Sequence, residues 1–189
     1  MRQGTTMLKT AITTLVALAA TAGTANAREW PTTRGWRITQ GDAFCLMTNE
    51  YRGPGSSMLV LALNDQGPPI LADVNARWTA KEGETYEGVS LTMNGRRYSG
   101  GPAIGLELFG RRGVAFSLPE AALGDFAASY SLQLNRAGRR IDALSLRGSR
   151  RALEVARRCL TEVRRETAGR RSTVDATEYE GLPIDPFAD

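Results

Sequence analysis

The chain holds two cysteines, Cys45 and Cys159, 114 residues apart. Each lies in a segment with a readable apolar pattern, and the two patterns differ. In AFCLMTNEY, residues 43–51, side chains alternate. Phe44, Leu46 and Thr48 fall on one side, Cys45 and Met47 on the other, which is the period of a strand. In SRRALEVARRCLTEVRR, residues 149–165, the apolar positions are Ala152, Leu153, Val155, Ala156, Cys159, Leu160 and Val163. They recur with a period near 3.6 and make one face of a helix. A bond between the two thiols would staple a late helix onto a sheet. Two buried free thiols are the other reading, and the redox compartment decides between them.

The first 27 residues bear on that compartment. Arg2 and Lys9 form a basic opening, AITTLVALAATA (11–22) is an apolar stretch, and Ala25-Asn26-Ala27 fits small-x-small cleavage. These are the three regions of a cleaved secretory signal. The apolar stretch is shorter than the roughly 20 residues a spanning helix needs. The expectation is therefore a mature chain beginning at Arg28, periplasmic or secreted, with no transmembrane segment and a Cys45–Cys159 disulfide.

Charge is unevenly spread. Two of the 24 basic residues precede Arg28 and all 20 acidic residues follow it, which leaves the mature chain at +2. The final 18 residues, STVDATEYEGLPIDPFAD, hold five acids and no base, so residues 28–171 carry +7. In the 149–165 segment, Arg150, Arg157 and Arg164 recur every seven residues, opposite the apolar face. Glu154 and Arg158, and Arg158 and Glu162, stand four apart and compensate part of that charge. A solvated helix face is the expected role. Nucleic acid is not expected as a partner of an exported chain without an aromatic stacking platform. Anionic lipid or another envelope polyanion stays open.

Between the cysteines the chain reads as short strands and turns. REWPTTRG (28–35) is expected to be an irregular lead-in, followed by the run WRIT. RGPGSS (52–57) is a turn by composition. MLVLALN (58–64) is continuously apolar and suits a strand buried on both sides. VSLTMNG (89–95) ends in Asn94-Gly95, a pair that tolerates positive φ and predicts a tight hairpin into Arg96-Arg97-Tyr98. IGLELFG (104–110) and GVAFSLP (113–119) are expected to join through Gly110-Arg111-Arg112-Gly113. A short helix should follow Pro119, over about 119–128. YSLQLN (130–135) and IDALSL then pair through RAGRR.

Several chemistries are excluded or weakened by residue type. The chain has no histidine, so Ser-His-Asp and Cys-His catalysis lack their base and common zinc sites lack ligands. Lys81 is the one lysine after Arg28, and no Ser-x-x-Lys motif surrounds it. Glu82, Glu84 and Glu87 lack calcium-loop spacing and read as a solvated turn. SGGPAIG (99–105) lacks the setting of a phosphate loop. Paired-carboxylate hydrolysis needs only two acids across a cleft; Glu50, Asp73, Glu107 and Asp142 all lie near strand-like runs. No metal or cofactor is expected. The residues most open to partner contact are Arg96, Arg97 and Tyr98, and Arg111 and Arg112, placed at expected hairpin tips, where binding residues concentrate.

The order of these segments resembles the invasion-associated locus B family. GWRITQGDAFCLMTNEY opens with a Trp, a short strand and a Cys-bearing strand. The closing stretch, GVAFSLPEAALGDFAASYSLQLNRAGRRIDALSLRGSRRAL, is similar to that family's strand, short helix, strand pair and Ser-Leu-x-Gly step into a final helix. Leu144, Ser145, Leu146, Gly148, Ala152 and Leu153 carry the match. The family's additional cysteine near the first Trp has no counterpart here, where Ile38 and Thr39 stand, so its disulfide arrangement does not transfer. The resemblance implies a small β-rich exported protein of the bacterial periplasm or envelope, without known catalytic residues.

The expected architecture is mainly β with a C-terminal helix, an antiparallel sandwich or partial barrel. The single domain should span 28–167, with its long helix near 148–167 and a flexible acidic tail over 168–189. The expected function is a non-catalytic envelope binding or protein-interaction module. A small secreted hydrolase using a carboxylate pair is the alternative.

Overall fold

The computed structural model describes residues 27–99 and 101–179. The expected signal, apart from Ala27, and the last ten residues of the tail lie outside the described residues. Among the described residues, two antiparallel sheets and two helices make up the fold. The larger sheet contains β1 (Arg28–Thr33), β2 (Trp36–Gln40), β3 (Phe44–Glu50), β4 (Met58–Asn64), β5 (Ile70–Asn75), β6 (Thr85–Tyr86), β9 (Ala103–Leu108) and β10 (Arg111–Ser117). Its spatial order is β1-β2-β3-β4-β5-β10-β9-β6. The smaller sheet runs β12-β11-β7-β8, built from β7 (Val89–Met93), β8 (Arg96–Tyr98), β11 (Ser131–Arg136) and β12 (Arg139–Ser145). Helix α1 is Ala122–Ala128 and helix α2 is Ser149–Tyr179.

The alternation in β3 sorts the core into two layers. Cys45 and Met47 face inward with Leu59, Leu61, Leu71, Val114 and Phe116, and the smaller sheet adds Leu91, Leu132 and Leu134 to that layer. Helix α2 seals it by burying Ala152, Leu153, Val155, Ala156, Cys159 and Val163. Phe44 and Leu46 face the other way, with Met58, Val60, Ala62, Ile70, Ala72, Val74, Leu106 and Leu108. MLVLALN is thus buried on both faces, as its continuous apolar run predicts. The larger sheet curls around this second layer without closing into a barrel.

Cys45 and Cys159 form a disulfide across a Cα–Cα distance of 6.2 Å. It pins the apolar face of α2 against β3. At the helix entry, Ser149 Oγ donates to the Phe126 carbonyl at 2.9 Å. Trp36 packs edge-on against Phe126, centroids 5.7 Å apart, and its indole N–H donates to the Arg147 carbonyl at 3.0 Å. The Leu146–Ser149 step is thereby fixed on both sides.

Three expectations change. Residues 28–33 are not an irregular lead-in but the edge strand β1, paired with β2. Its register slips between Trp30 and Thr33, around Pro31, and an edge strand tolerates a residue with no N–H to donate. Helix α2 covers the expected span near 148–167 and runs on to Tyr179, into the first part of the expected tail. Extending a helix already docked needs no new nucleus, and no proline interrupts 168–179. The turn between β9 and β10 is Phe109-Gly110, with φ of 53° and 70°. Arg111 and Arg112 therefore open β10 rather than cap a hairpin tip, whereas Arg96, Arg97 and Tyr98 follow the Asn94-Gly95 turn as β8, as the hairpin expectation has it.

Candidate functional site

Curling of the larger sheet builds a trough on its concave face. In a flat sheet β2 and β10 would stand four strands apart, about 19 Å. Here residues of both line one cavity of about 830 Å3. Glu29 and Thr32 come from β1, Arg37 and Thr39 from β2, Leu46, Thr48 and Glu50 from β3, and Met58 from β4. Phe109 and Arg111 close the far side. Gly113 lets β10 lie close on β5, since a Cβ there would stand 1.9 Å from the Asp73 carbonyl oxygen.

The trough combines buried apolar side chains, Leu46 and Met58, with the charged groups of Glu29, Arg37, Glu50 and Arg111. Arg111 is mostly enclosed, its side chain 18% exposed, and its guanidinium faces Glu50 at 3.7 Å and the Met58 sulfur at 3.9 Å. Glu29 accepts a hydrogen bond from Thr39 Oγ1 at 3.1 Å. Arg37 has no carboxylate within 4 Å among the described residues. The mouth thus offers a mixed set of donors and acceptors rather than a field of one sign.

Phe109 is the most unusual residue of the rim. It is 56% exposed and its φ of 53° lies in the left-handed region. A two-residue type I′ hairpin turn needs positive φ at both central positions and favours Asn-Gly there. Asn94-Gly95 meets that rule; Phe109-Gly110 breaks it with a bulky side chain, for which positive φ is a genuine outlier. Strain of this kind concentrates at ligand clamps and other functional sites.

The other arginines expected to contact partners lie elsewhere. Arg112 pairs with Glu107 at 3.2 Å on the opposite face of β10. Arg96 pairs with Asp125 of α1 at 3.4 Å, and the Tyr98 hydroxyl donates to the same carboxylate. Arg97 is exposed on β8 in the smaller sheet. Of the five, Arg111 alone reaches the trough. Along α2 the arginines from Arg150 to Arg165 are the exposed face: Arg164 pairs with Asp65, and Glu162 takes Arg165 at 3.4 Å rather than Arg158.

Two of the four candidate carboxylates do meet. Asp73 lies inside the sandwich, 0% exposed, and neither carboxyl oxygen has a hydrogen-bond partner among the described residues. Burial, reinforced by the negative charge of Asp142, pushes its carboxyl well above the ordinary carboxylate range. Asp142 is tied down: Oδ2 accepts from Ser57 Oγ at 2.6 Å and Oδ1 from the Ala143 N–H at 2.7 Å. Asn75 Nδ2 donates to Ser57 Oγ at 2.8 Å, and the Tyr51 hydroxyl donates to the Ser145 carbonyl at 2.6 Å. Burial also raises the Tyr51 phenol. The Ser57–Asp142 and Tyr51–Ser145 bonds stitch β12 to the larger sheet. Neither Asp73 nor Asp142 lines the trough or the pocket between the sheets.

No protein-family model, no curated protein and no solved structure matches this chain. Its own geometry therefore carries the functional reading. Among the described residues no group of acidic or cysteine side chains is arranged to hold a metal ion, and no helix is long and apolar enough to cross a membrane.

Proposed function

We propose that the protein is an exported, non-catalytic binding module of the bacterial envelope and that it takes a protein partner at the trough. Phe109 carries the reading. An exposed aromatic held in an unfavourable backbone conformation at a cavity mouth costs stability, and aromatic anchors are what protein interfaces use most heavily. The mixed polar lining behind it favours a protein segment over a polyanion, because Glu50 offsets Arg111 and Glu29 adds a second negative group. The exported setting rests on the N-terminal signal pattern and accords with the disulfide. The likeness of residues 113–153 to invasion-associated locus B proteins points to the same setting.

Phe109→Asn tests this reading through two opposed effects. Asn suits the turn, so the variant should gain about 1 kcal/mol, a rise of about 2–4 °C in Tm for a domain of this size. The same variant should lose partner capture when tagged protein is cross-linked in intact envelopes and purified. Capture equal to wild type would remove the rim from the binding surface.

A further inference from the structure

A second cavity, independent of the trough, opens between the two sheets. It measures about 300 Å3. We propose that it binds a small organic anion with a flat apolar body, such as an aromatic carboxylate or sulfonate, gripped by Arg77 and Arg136.

The residues that line it divide into walls, floor and charge. Trp78 and Tyr86 supply aromatic walls, Val89 and Val114 the floor, and Ile141 the outer lip. Ile141 is 41% exposed. It is presented there by a bulge: Leu134 pairs with Asp142 and Asn135 with Arg140, which leaves Ile141 unpaired. Bulges re-aim side chains in this way.

Charge at this cavity has one sign. Arg77 and Arg136 line it and no carboxylate does. Neither guanidinium has a carboxylate within 4 Å among the described residues, in contrast to Arg96, Arg111, Arg112, Arg164 and Arg165. Arg136 instead lies over the Tyr86 ring, 4.9 Å from its centroid. That contact orients the guanidinium and leaves its hydrogen-bonding edge free for an anion.

The walls are fixed before any ligand arrives. The Tyr86 hydroxyl accepts from the Lys81 N–H at 2.8 Å and donates to Glu84 at 3.0 Å, which holds the ring. The Arg77 N–H donates to Asn75 Oδ1 at 2.9 Å, which anchors the loop that carries Trp78. The Ala137 N–H donates to the Gly88 carbonyl at 3.0 Å and ties the β11–β12 turn to the start of β7. A preformed, mostly apolar cleft with a few convergent polar groups is the usual form of a small-molecule site. Paired guanidiniums favour planar oxyanions, and flat aromatic walls favour a flat apolar body.

The test is a titration of the purified protein with 1-anilinonaphthalene-8-sulfonate and, separately, with its uncharged analogue N-phenyl-1-naphthylamine. The sulfonate should bind at a single site and quench tryptophan emission, and Trp78→Phe should remove that quenching. The uncharged dye should bind roughly tenfold more weakly or less well still, for want of the charge-assisted bonds. Arg77→Gln and Arg136→Gln should each weaken the sulfonate severalfold; both side chains are exposed, so the fold should persist. Arg37→Gln, in the trough, should change nothing. Equal affinity for the two dyes, full affinity in both arginine variants, or a loss in Arg37→Gln instead would each overturn the proposal.

Discussion

Cys45→Ser should lower the melting temperature of the oxidised protein by about 10–15 °C. The disulfide closes a loop between residues 114 apart. In the chain-entropy model a cross-link of that span contributes about 4–5 kcal/mol. For a domain of this size each kcal/mol corresponds to about 2–4 °C. Both cysteines are 0% exposed, so the variant also buries a new hydroxyl. A reductant arm separates the two effects: wild type melted with a thiol reductant should fall by most of the same amount. An unchanged melt in both experiments would mean that the helix is held by packing alone. The reduced protein should also expose the joint between α2 and β3 first, because the disulfide is the covalent tie between them.

Asp73→Asn should stabilise the protein at pH 8 and leave it unchanged near pH 4. The folded-state affinity of Asp73 for its proton is raised because the carboxyl is buried without a partner and faces the charge of Asp142. Its favourable contribution is complete below the unfolded carboxylate value of 3.8. As pH rises above that value, the unfolded chain releases the proton while the folded chain retains it, and stability is lost. Asn carries no such proton and removes the slope. The gain should grow by up to about 1.4 kcal/mol for each pH unit above the unfolded value until the folded carboxyl itself ionises. Urea melts of both proteins at pH 4, 6 and 8 measure it. Parallel pH profiles would show that Asp73 is not the source.

Local patterns in the sequence carried much of this architecture. The opposite facing of Cys45 and Phe44, the double burial of residues 58–64, the apolar stripe of α2 and the hairpin at Asn94-Gly95 all follow from periodicity and turn chemistry. β1 escaped because Pro31 reads as a strand breaker until its place at a sheet edge is known. The Phe109-Gly110 turn escaped because turn preferences point to Asn-Gly, and the Arg-Arg pair beyond it looked like the more natural loop. Curling is a property of the whole sheet, so nothing within β2 or β10 announces that Arg37 and Arg111 share a trough. Asp73 looked like any polar residue in an apolar run; its burial depends on the smaller sheet that covers it. Ile141 reaches the pocket between the sheets only through a bulge, and no residue type marks that bulge.

The binding role of the trough is tested most directly by placing a photoreactive phenylalanine analogue at position 109 and, as a control, at Tyr130. Tyr130 is 84% exposed and lies outside the trough. After illumination of intact envelopes, position 109 should yield a discrete cross-linked species that position 130 does not. The same product from both positions, or none from 109, would contradict the trough as the partner site.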